Sequence, residues 1–240
     1  MQPAQLYDSA ATMFSPDGRI YQVEYAREAV KRGTTAVGVT FADGIVLMVD
    51  KRVSGKLIEA AAVEKLYKID SHIGVASSGL VGDARVLVAR ARGDAQNNRY
   101  IYDESLEIEV LVKNLSDILQ AYTQNGGVRP FGAAFLVAGI DSRGAHLYET
   151  DPSGAVVAYK ATAIGIGRAT ALEFLEAEYR PGLAMEKAAI LGLKALAKAA
   201  EAAPQTGAAA PDMVVISKKD GYRKLAPEEV SRFTAQLQGQ

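Results

Sequence analysis

The stretch YDSAATMFSPDGRIYQVEYAREAVKRG, residues 7–33, sets the organisation of the whole chain. Pro16 fixes φ for the first position of a turn, and Gly18 tolerates a backbone conformation that a side chain would resist. Residues 20–31 then follow a helical period, and the apolar positions on one face are Val23, Ala26 and Val30. Gly33 stands where a left-handed residue commonly ends a helix. The stretch therefore predicts a turn followed by an amphipathic helix.

Composition narrows the class of protein. Of the 240 residues, 49% are hydrophobic and 23% are charged, which is an ordinary balance for a globular chain with a sizeable core. The net charge of −1 gives no reason to expect nucleic acid or an acidic membrane as a partner. The absence of cysteine excludes disulfides and thiolate catalysis, and two histidines are too few for a histidine-rich metal site. Without a signal segment or a membrane-length apolar run, we expect a soluble, cytoplasmic protein with no bound metal.

The order of predicted elements points to the fold class. After residue 33 the pattern predicts strands at residues 34–42, 44–49, 65–69, 73–77, 131–140, 146–150, 156–164, 212–217 and 222–225. Helices are predicted after residue 79, after a capping Asp103-Glu104-Ser105 segment, at residues 168–179 and 185–200, and at the C-terminus. Because helices come in adjacent pairs, a doubly wound parallel sheet is disfavoured. We predict an α+β fold in which two antiparallel sheets pack face to face between helical layers.

Two motifs in the opening stretch carry a family resemblance. FSPDGR at residues 14–19 and QVEYA at residues 22–26 follow a Tyr-Asp pair. The combination resembles the N-terminal signature of archaeal-type proteasome α subunits, and the likeness extends over essentially the full chain. It implies the four-layer α-β-β-α sandwich of N-terminal-nucleophile hydrolases. It also implies a gate segment and helix at residues 1–33, a sandwich domain at residues 34–240, and no cofactor.

A second interpretation arises from Thr34. In the proteolytic β subunits of this family, cleavage after a glycine at this place frees a threonine nucleophile whose own amine acts as base. Asp50 and Lys65 match the acid and the lysine that accompany it. These residues alone would suggest a self-processing threonine hydrolase, which stays open as the alternative.

Three observations favour a non-catalytic subunit. Arg168 follows the Gly-x-Gly of residues 165–167, where active β subunits carry serine, and residues 204–207 lack their Asp-x-x-Ser pattern. While residues 1–33 stay attached, Thr34 has a peptide nitrogen, which cannot serve as a general base. We therefore expect no catalytic residue in this chain, which would take part in ATP-dependent protein degradation.

The resemblance further implies three sets of site residues. The residues of the gate would be Tyr7, Asp8, Ser9, Pro16 and Tyr25. The residues that bind the C-terminal tails of a hexameric ATPase activator would be Lys65, Gly33, Gly79 and Leu80. The rim of the axial pore would comprise Asn125, Gly126, Gly127 and Val128. The expected partners are other α subunits in a heptameric ring, β subunits, the activator and unfolded polypeptide in transit.

One residue of the gate departs from the family pattern. Many archaeal-type α subunits carry arginine after the Tyr-Asp pair, and this chain has Ser9. Serine cannot form a forked ion pair with a neighbouring carboxylate. We therefore expect a less ordered closed gate, and a smaller gain in peptide hydrolysis when residues 1–9 are deleted than in a relative that carries arginine.

Overall fold

The N-terminal turn and helix form as predicted, but the expectation that Gly33 is left-handed is wrong, because its φ is not positive. The computed structural model describes residues 7, 10, 12–51, 57, 64–202 and 211–238. The Gly18 N–H donates to the Ser15 carbonyl at 2.8 Å, and the Arg19 N–H donates to the Ser15 hydroxyl at 3.1 Å. Gly18 has a φ of +74°, which explains the need for glycine there. Helix α1 follows at Tyr21–Lys31 and buries Val23, Ala26 and Val30.

The remaining elements alternate between strand groups and helix pairs. The first group comprises β1 (Ala36–Phe41), β2 (Gly44–Val49), β3 (Leu66–Asp70) and β4 (Ile73–Gly79), and the helices α2 (Val81–Tyr102) and α3 (Ile108–Gln124) come next. The second group comprises β5 (Ala133–Asp141), β6 (Gly144–Thr150), β7 (Val156–Ala158) and β8 (Ala161–Ile164), followed by α4 (Arg168–Glu178) and α5 (Met185–Ala202). The chain continues with β9 (Asp212–Ser217), β10 (Gly221–Lys224) and α6 (Pro227–Gln238).

The strands form two antiparallel sheets. The first has the order β10-β9-β2-β1-β8 and the second the order β3-β4-β5-β6-β7. Strands β1 and β2 form the hairpin predicted from Asp43-Gly44, with Phe41 paired to Gly44 and Ala36 paired to Val49. Strand β9 pairs with β2, so the C-terminal hairpin extends the same sheet. Each sheet therefore combines strands from distant parts of the chain.

Three apolar clusters define four layers. Between the sheets lie fully buried side chains from both, including Leu47, Leu136 and Ile216. Helices α2 and α3 cover the second sheet, and α4, α5 and α6 cover the first, each through its own apolar cluster. Burial on both faces explains why β2 is apolar throughout and does not alternate. The predicted α-β-β-α sandwich is confirmed.

The prediction of one strand over residues 156–164 is wrong. Strand β7 pairs with β6 in the second sheet, whereas β8 pairs with β1 in the first. At the crossing, the Tyr159 N–H donates to the Leu147 carbonyl, and the Thr40 N–H donates to the Lys160 carbonyl, each at 2.8 Å. A continuous β-forming pattern carries no signal that its hydrogen-bond partners change sheet midway.

The prediction that Asp103-Glu104-Ser105 caps the N-terminus of α3 is also wrong. Asp103 instead ends α2 in a left-handed conformation, with φ of 55°, and its N–H donates to the Arg99 carbonyl. The N-terminus of α3 has no side-chain cap from its own N-cap residue. The Asp141 carboxylate, at the end of β5, accepts a hydrogen bond of 3.3 Å from the Ile108 N–H. A residue distant in sequence thus takes the role expected of a local one.

The described part of the chain contains neither a helix that could cross a membrane nor a group of side chains that could hold a metal ion. No helix there is long and apolar enough to cross a bilayer. No group of three or more histidine, aspartate or glutamate side chains among those residues is arranged to hold a metal ion.

Candidate functional site

The three residues that resemble a threonine-protease site lie close together, as expected. They are Thr34, Asp50 and Lys65, here called the threonine cluster. Thr34 comes between α1 and β1, Asp50 directly follows β2, and Lys65 directly precedes β3. The Lys65 ammonium donates to the Thr34 hydroxyl. Asp50 is buried. Loss of solvent lowers the pKa of Lys65, and the nearby charge of Asp50 opposes that shift without cancelling it.

The nitrogen of Thr34 is fixed in a peptide that the fold holds on both sides. The Gly33 carbonyl accepts a hydrogen bond of 2.9 Å from the Ile166 N–H. The Ser78 hydroxyl is shared between the carbonyls of Val30 at 3.1 Å and Thr34 at 3.2 Å. The end of α1 and the start of β1 are thereby attached to β4 and to the loop before α4. The cluster has a hydroxyl and an ammonium but no free amine to accept a proton.

The position of Gly33 leaves no room for a side chain. A Cβ there would lie 2.3 Å from the Ser78 hydroxyl oxygen and 2.4 Å from the Gly79 nitrogen. The glycine that precedes the threonine is thus required by close packing inside the chain, which is sufficient reason for its presence without any cleavage.

The loop before α4 holds the cluster from the other side. Gly165 has a φ of +94°, and a Cβ there would lie 2.5 Å from the Thr34 carbonyl oxygen. The Gly167 N–H donates to the Thr35 hydroxyl at 3.0 Å. Arg168, which occupies the position of the expected catalytic serine, donates instead to the Glu149 carboxylate at 3.2 and 3.3 Å. Residues 204–207, the other departure from the proteolytic pattern, lie outside the described residues.

Lys65, Gly33, Gly79 and Leu80, here called the docking cluster, surround the C-terminal end of β4. Gly33 packs closely against the Gly79 nitrogen, and the Lys65 carbonyl accepts from the Ser77 N–H at 3.0 Å. Gly79 has a φ of +105°, and a Cβ there would lie 2.1 Å from the Gly132 carbonyl oxygen. Leu80 is 46% exposed. Lys65, which is partly buried, is the one charged residue of this cluster.

Residues 125–128, here called the rim turn, are exposed and follow α3. The Asn125 side-chain amide donates to the Ala121 carbonyl at 2.7 Å. Gly127 has a φ of +85°, whereas a Cβ at Gly126 would meet no atom within 4 Å. Val128 is 38% exposed. The positive φ of Gly127 explains why glycine is needed there. Neither the conformation nor the packing of Gly126 gives a reason for glycine at that position.

An ion pair that the sequence analysis missed joins these two regions. Arg129, which follows the rim turn, donates to both Asp83 carboxylate oxygens at 2.6 and 2.8 Å. Asp83, in the first turn of α2, also accepts from the Gly132 N–H at 2.8 Å. The Gly132 carbonyl accepts from the Leu80 N–H at 2.8 Å. The two charged residues are far apart in sequence, and no spacing rule connects them.

The expected gate residues are only partly described. Asp8 and Ser9 lie outside the described residues. Tyr7 is half-buried, Pro16 is exposed, and Tyr25 is 51% exposed on α1. Phe14 is 65% exposed beside the turn. The contacts expected of the gate residues run between subunits, so their roles stay predictions.

Comparison with known proteins identifies the family. The sequence model described as "Proteasome subunit" matches residues 30–215, and the model of the N-terminal signature of A-type proteasome subunits matches residues 7–29. The proteasome alpha subunit of Methanosarcina acetivorans is 55% identical over 237 residues, which cover 99% of this chain and 96% of the relative. The Methanopyrus kandleri protein of the same name is 53% identical over 240 residues, covering 100% and 96%. The Methanocaldococcus jannaschii protein of that name is 51% identical over 234 residues, covering 97% and 88%. The chain therefore belongs to the proteasome subunit family and, by its N-terminal signature, is an α subunit of the core particle.

Proposed function

We propose that the chain is a non-catalytic subunit that forms a heptameric ring, gates substrate entry to proteolytic β subunits and docks an ATPase activator. The observation that carries the proposal is the fixed peptide between Gly33 and Thr34. Because the carbonyls of Val30, Gly33 and Thr34 are held by β4 and the loop before α4, the helix α1 that precedes this peptide belongs to the fold. Release of a threonine amine would require these contacts to be broken.

Ring assembly is assigned to α1 and the turn before it. Val23, Ala26 and Val30 are buried within the chain itself, so they cannot form the contact between subunits. Phe14 and Tyr25 keep more than half of their surface exposed. Both belong to the same N-terminal stretch, and large exposed side chains that form a patch commonly mark a protein interface. We assign these two residues to the contact between neighbouring α subunits.

Activator docking is assigned to the docking cluster. Burial makes the charged state of Lys65 more costly than in water, and a terminal carboxylate would offset that cost by pairing with it. Gly33 packs against Ser78 and Gly79 packs against Gly132, so the backbone next to Lys65 would be held in place for an incoming tail. A hexameric ATPase would present several such tails, and the docked particle would degrade unfolded polypeptide in the cytoplasm at the expense of ATP.

Gating is assigned to residues 1–33 together with the rim turn, and residues 34–240 form the scaffold domain. Two consecutive glycines let several copies of a turn approach one axis without clashes between side chains. The empty surroundings of Gly126 within the chain support this assignment, because the reason for that glycine then lies outside the chain.

A self-processing threonine hydrolase is the second candidate, favoured by the contact between Lys65 and Thr34. The mass of the chain after co-expression with a proteasome β subunit separates the two candidates. We expect the intact chain in a complex containing both subunits, and no peptidase activity from the chain alone. Loss of residues 1–33 together with activity of the isolated chain would establish the hydrolase instead.

The assignment of the ring contact has its own test. Tyr25→Asp should reduce the ring to small oligomers in native mass spectrometry, because a charge would have to be buried between subunits. Tyr25→Phe, which keeps the ring and removes only the hydroxyl, should assemble normally. Intact rings from Tyr25→Asp would place the interface elsewhere.

A further inference from the structure

The Asn125-Gly126 pair has the chemistry of a modification site. Asn125 is exposed directly after the last residue of α3, and its amide group donates to the Ala121 carbonyl at 2.7 Å. That bond satisfies one of the helix's terminal carbonyls, which have no partner within the helix. The side-chain amide is therefore both accessible and structurally useful.

Gly126 supplies a nucleophile that is not restrained. Among the described residues, none accepts a hydrogen bond from the Gly126 N–H. A Cβ at this position would meet no atom within 4 Å, so no other part of the described chain packs against that side of Gly126. Asn125 is extended, with φ of −103° and ψ of 127°, and rotation about ψ brings the Gly126 nitrogen to the side-chain carbonyl carbon.

The other asparagines of the chain provide an internal comparison. Asn97 and Asn98 lie within α2, and Asn114 lies within α3. In a helix the N–H of the next residue is bound to a carbonyl four residues earlier, and ψ is fixed. The same attack is therefore blocked at these three positions.

We propose that Asn125 is a site of spontaneous deamidation. The Gly126 nitrogen gives its proton to solvent base and bonds to the Asn125 side-chain carbon. The side-chain nitrogen takes a proton from solvent, its bond to that carbon breaks, and it leaves as ammonia. Water then opens the five-membered imide at either carbonyl, giving aspartate or isoaspartate. The reaction needs no enzyme, and it accelerates with pH because the attacking nitrogen must lose its proton.

The product has a defined physical effect on the end of α3. A carboxylate cannot donate to the Ala121 carbonyl, so that carbonyl loses its partner. The new negative charge also lies at the C-terminal end of a helix, where the helix dipole disfavours it. The last turn of α3 is thereby weakened, and isoaspartate additionally lengthens the backbone of the rim turn. In an assembled ring, a consequence that rests on the proposed function, up to one new charge per subunit would surround the axial opening.

Peptide mapping of the purified full-length chain by mass spectrometry tests the modification itself. During incubation at mildly alkaline pH, Asn125 should convert to aspartate and isoaspartate while Asn97, Asn98 and Asn114 persist. Gly126→Ala should convert about tenfold more slowly, since the added methyl narrows the conformations open to the peptide. This variant adds its methyl to empty space, so its fold should be unchanged. Equal conversion at Asn114 and Asn125, or an unchanged rate in Gly126→Ala, would overturn the proposal.

A second experiment tests the consequence. Asn125→Asp should melt at a lower temperature than the wild-type chain, and Asn125→Ser should lie between them because it adds no charge. An aged wild-type sample should move toward Asn125→Asp, and an aged Gly126→Ala sample should not. These melting temperatures are measured on the chain without β subunits, so their outcome does not depend on the proposed function. Only a change in peptide entry in the particle with β subunits would additionally require the proposed function.

Discussion

Two regions of this chain contain residues with expected functional roles, the threonine cluster and the rim turn, and the two regions differ in burial. In the threonine cluster, Lys65 contacts Thr34, Asp50 is buried, and the neighbouring carbonyls are hydrogen-bonded. In the rim turn, Asn125, Gly126 and Val128 are exposed. A Cβ added at Gly126 would meet no atom of the chain within 4 Å. Contacts within the chain therefore account for the residues of the threonine cluster, whereas they do not account for Gly126 in the rim turn.

The comparison shows how an inherited site can be kept without its chemistry. The Lys65 ammonium donates to the Thr34 hydroxyl, and the buried Asp50 is near enough for its charge to act on Lys65, so these side chains interact within the fold and can stabilise it. Their presence is thus no evidence of catalysis, because the fold alone gives a reason to retain them. In the rim turn the Asn125 amide binds the Ala121 carbonyl and Gly127 has a positive φ, whereas contacts within the chain give no reason for Gly126.

The largest expected effect concerns Lys65, the residue that the threonine cluster shares with the docking cluster. Lys65→Ala should abolish stimulation of the assembled particle by an ATPase with a C-terminal tail motif, while basal peptide hydrolysis persists. Each tail would lose a charge-assisted contact worth about 1.5–3 kcal/mol. The loss is multiplied over several tails by avidity.

Lys68→Ala is the matched control for Lys65→Ala. Lys68 lies on the neighbouring strand β3, and its ammonium is 5.9 Å from the centre of the Tyr222 ring, away from the threonine cluster. Stimulation should be normal in this variant. If Lys65→Ala were stimulated as well as Lys68→Ala, the docking site would have to lie elsewhere.

A smaller effect distinguishes the two glycines of the rim turn. Gly127→Ala should lower the free energy of unfolding by about 1–2 kcal/mol, because an alanine would be forced into a left-handed conformation. Gly126→Ala should leave the free energy unchanged. Urea denaturation of both variants provides the measurement. Equal destabilisation would mean that Gly126 has an internal role.

The sequence predicts well what local patterns encode. The Asp43-Gly44 hairpin, α1 and the layered sandwich follow from turn residues and hydrophobic periodicity. The switch of sheet at Tyr159 does not, because neither its composition nor its period differs from an ordinary strand. The Asp141 bond to Ile108 is missed for a related reason, since a distant side chain replaced a local cap.

The residues of the threonine cluster were found by resemblance, and their interpretation needed geometry. Spacing gave no information on whether Lys65 contacts Thr34 or faces solvent. Only the contacts of Ser78 and Ile166 show that the peptide before Thr34 is held by the fold.

Thr34 itself should have a structural effect and no catalytic one. Thr34→Ala removes the hydroxyl that accepts from Lys65 and should destabilise the chain by about 1 kcal/mol, the usual net value of a hydrogen bond. Thr34→Ser, which keeps the hydroxyl, should lose less. Peptide hydrolysis by the particle with β subunits should be equal in both. A fall in turnover caused by Thr34→Ala alone would bring back the hydrolase.

The smallest expected effect concerns the ion pair that connects the two regions. The hydrogen bond from Arg129 holds the pKa of Asp83 below its ordinary value of 3.8, although burial opposes the shift. In the unfolded chain the pKa returns to this ordinary value. Since the folded value is the lower one, the stabilisation is fully present above the unfolded pKa and is lost as pH falls through the folded pKa. Arg129 is 61% exposed, so solvent screening limits the contribution to below about 1 kcal/mol.

Asp83→Asn isolates that contribution. The variant can still accept the hydrogen bond from the Gly132 N–H, so it removes mainly the charge. At neutral pH the wild-type chain should melt at a higher temperature than the variant, and the gap should close as pH falls below about 4. High salt should narrow the gap at neutral pH as well, because the exposed guanidinium is screened. A gap that stayed constant with both pH and salt would mean that Asp83 acts through packing, and that no charge connects the rim turn to the docking cluster.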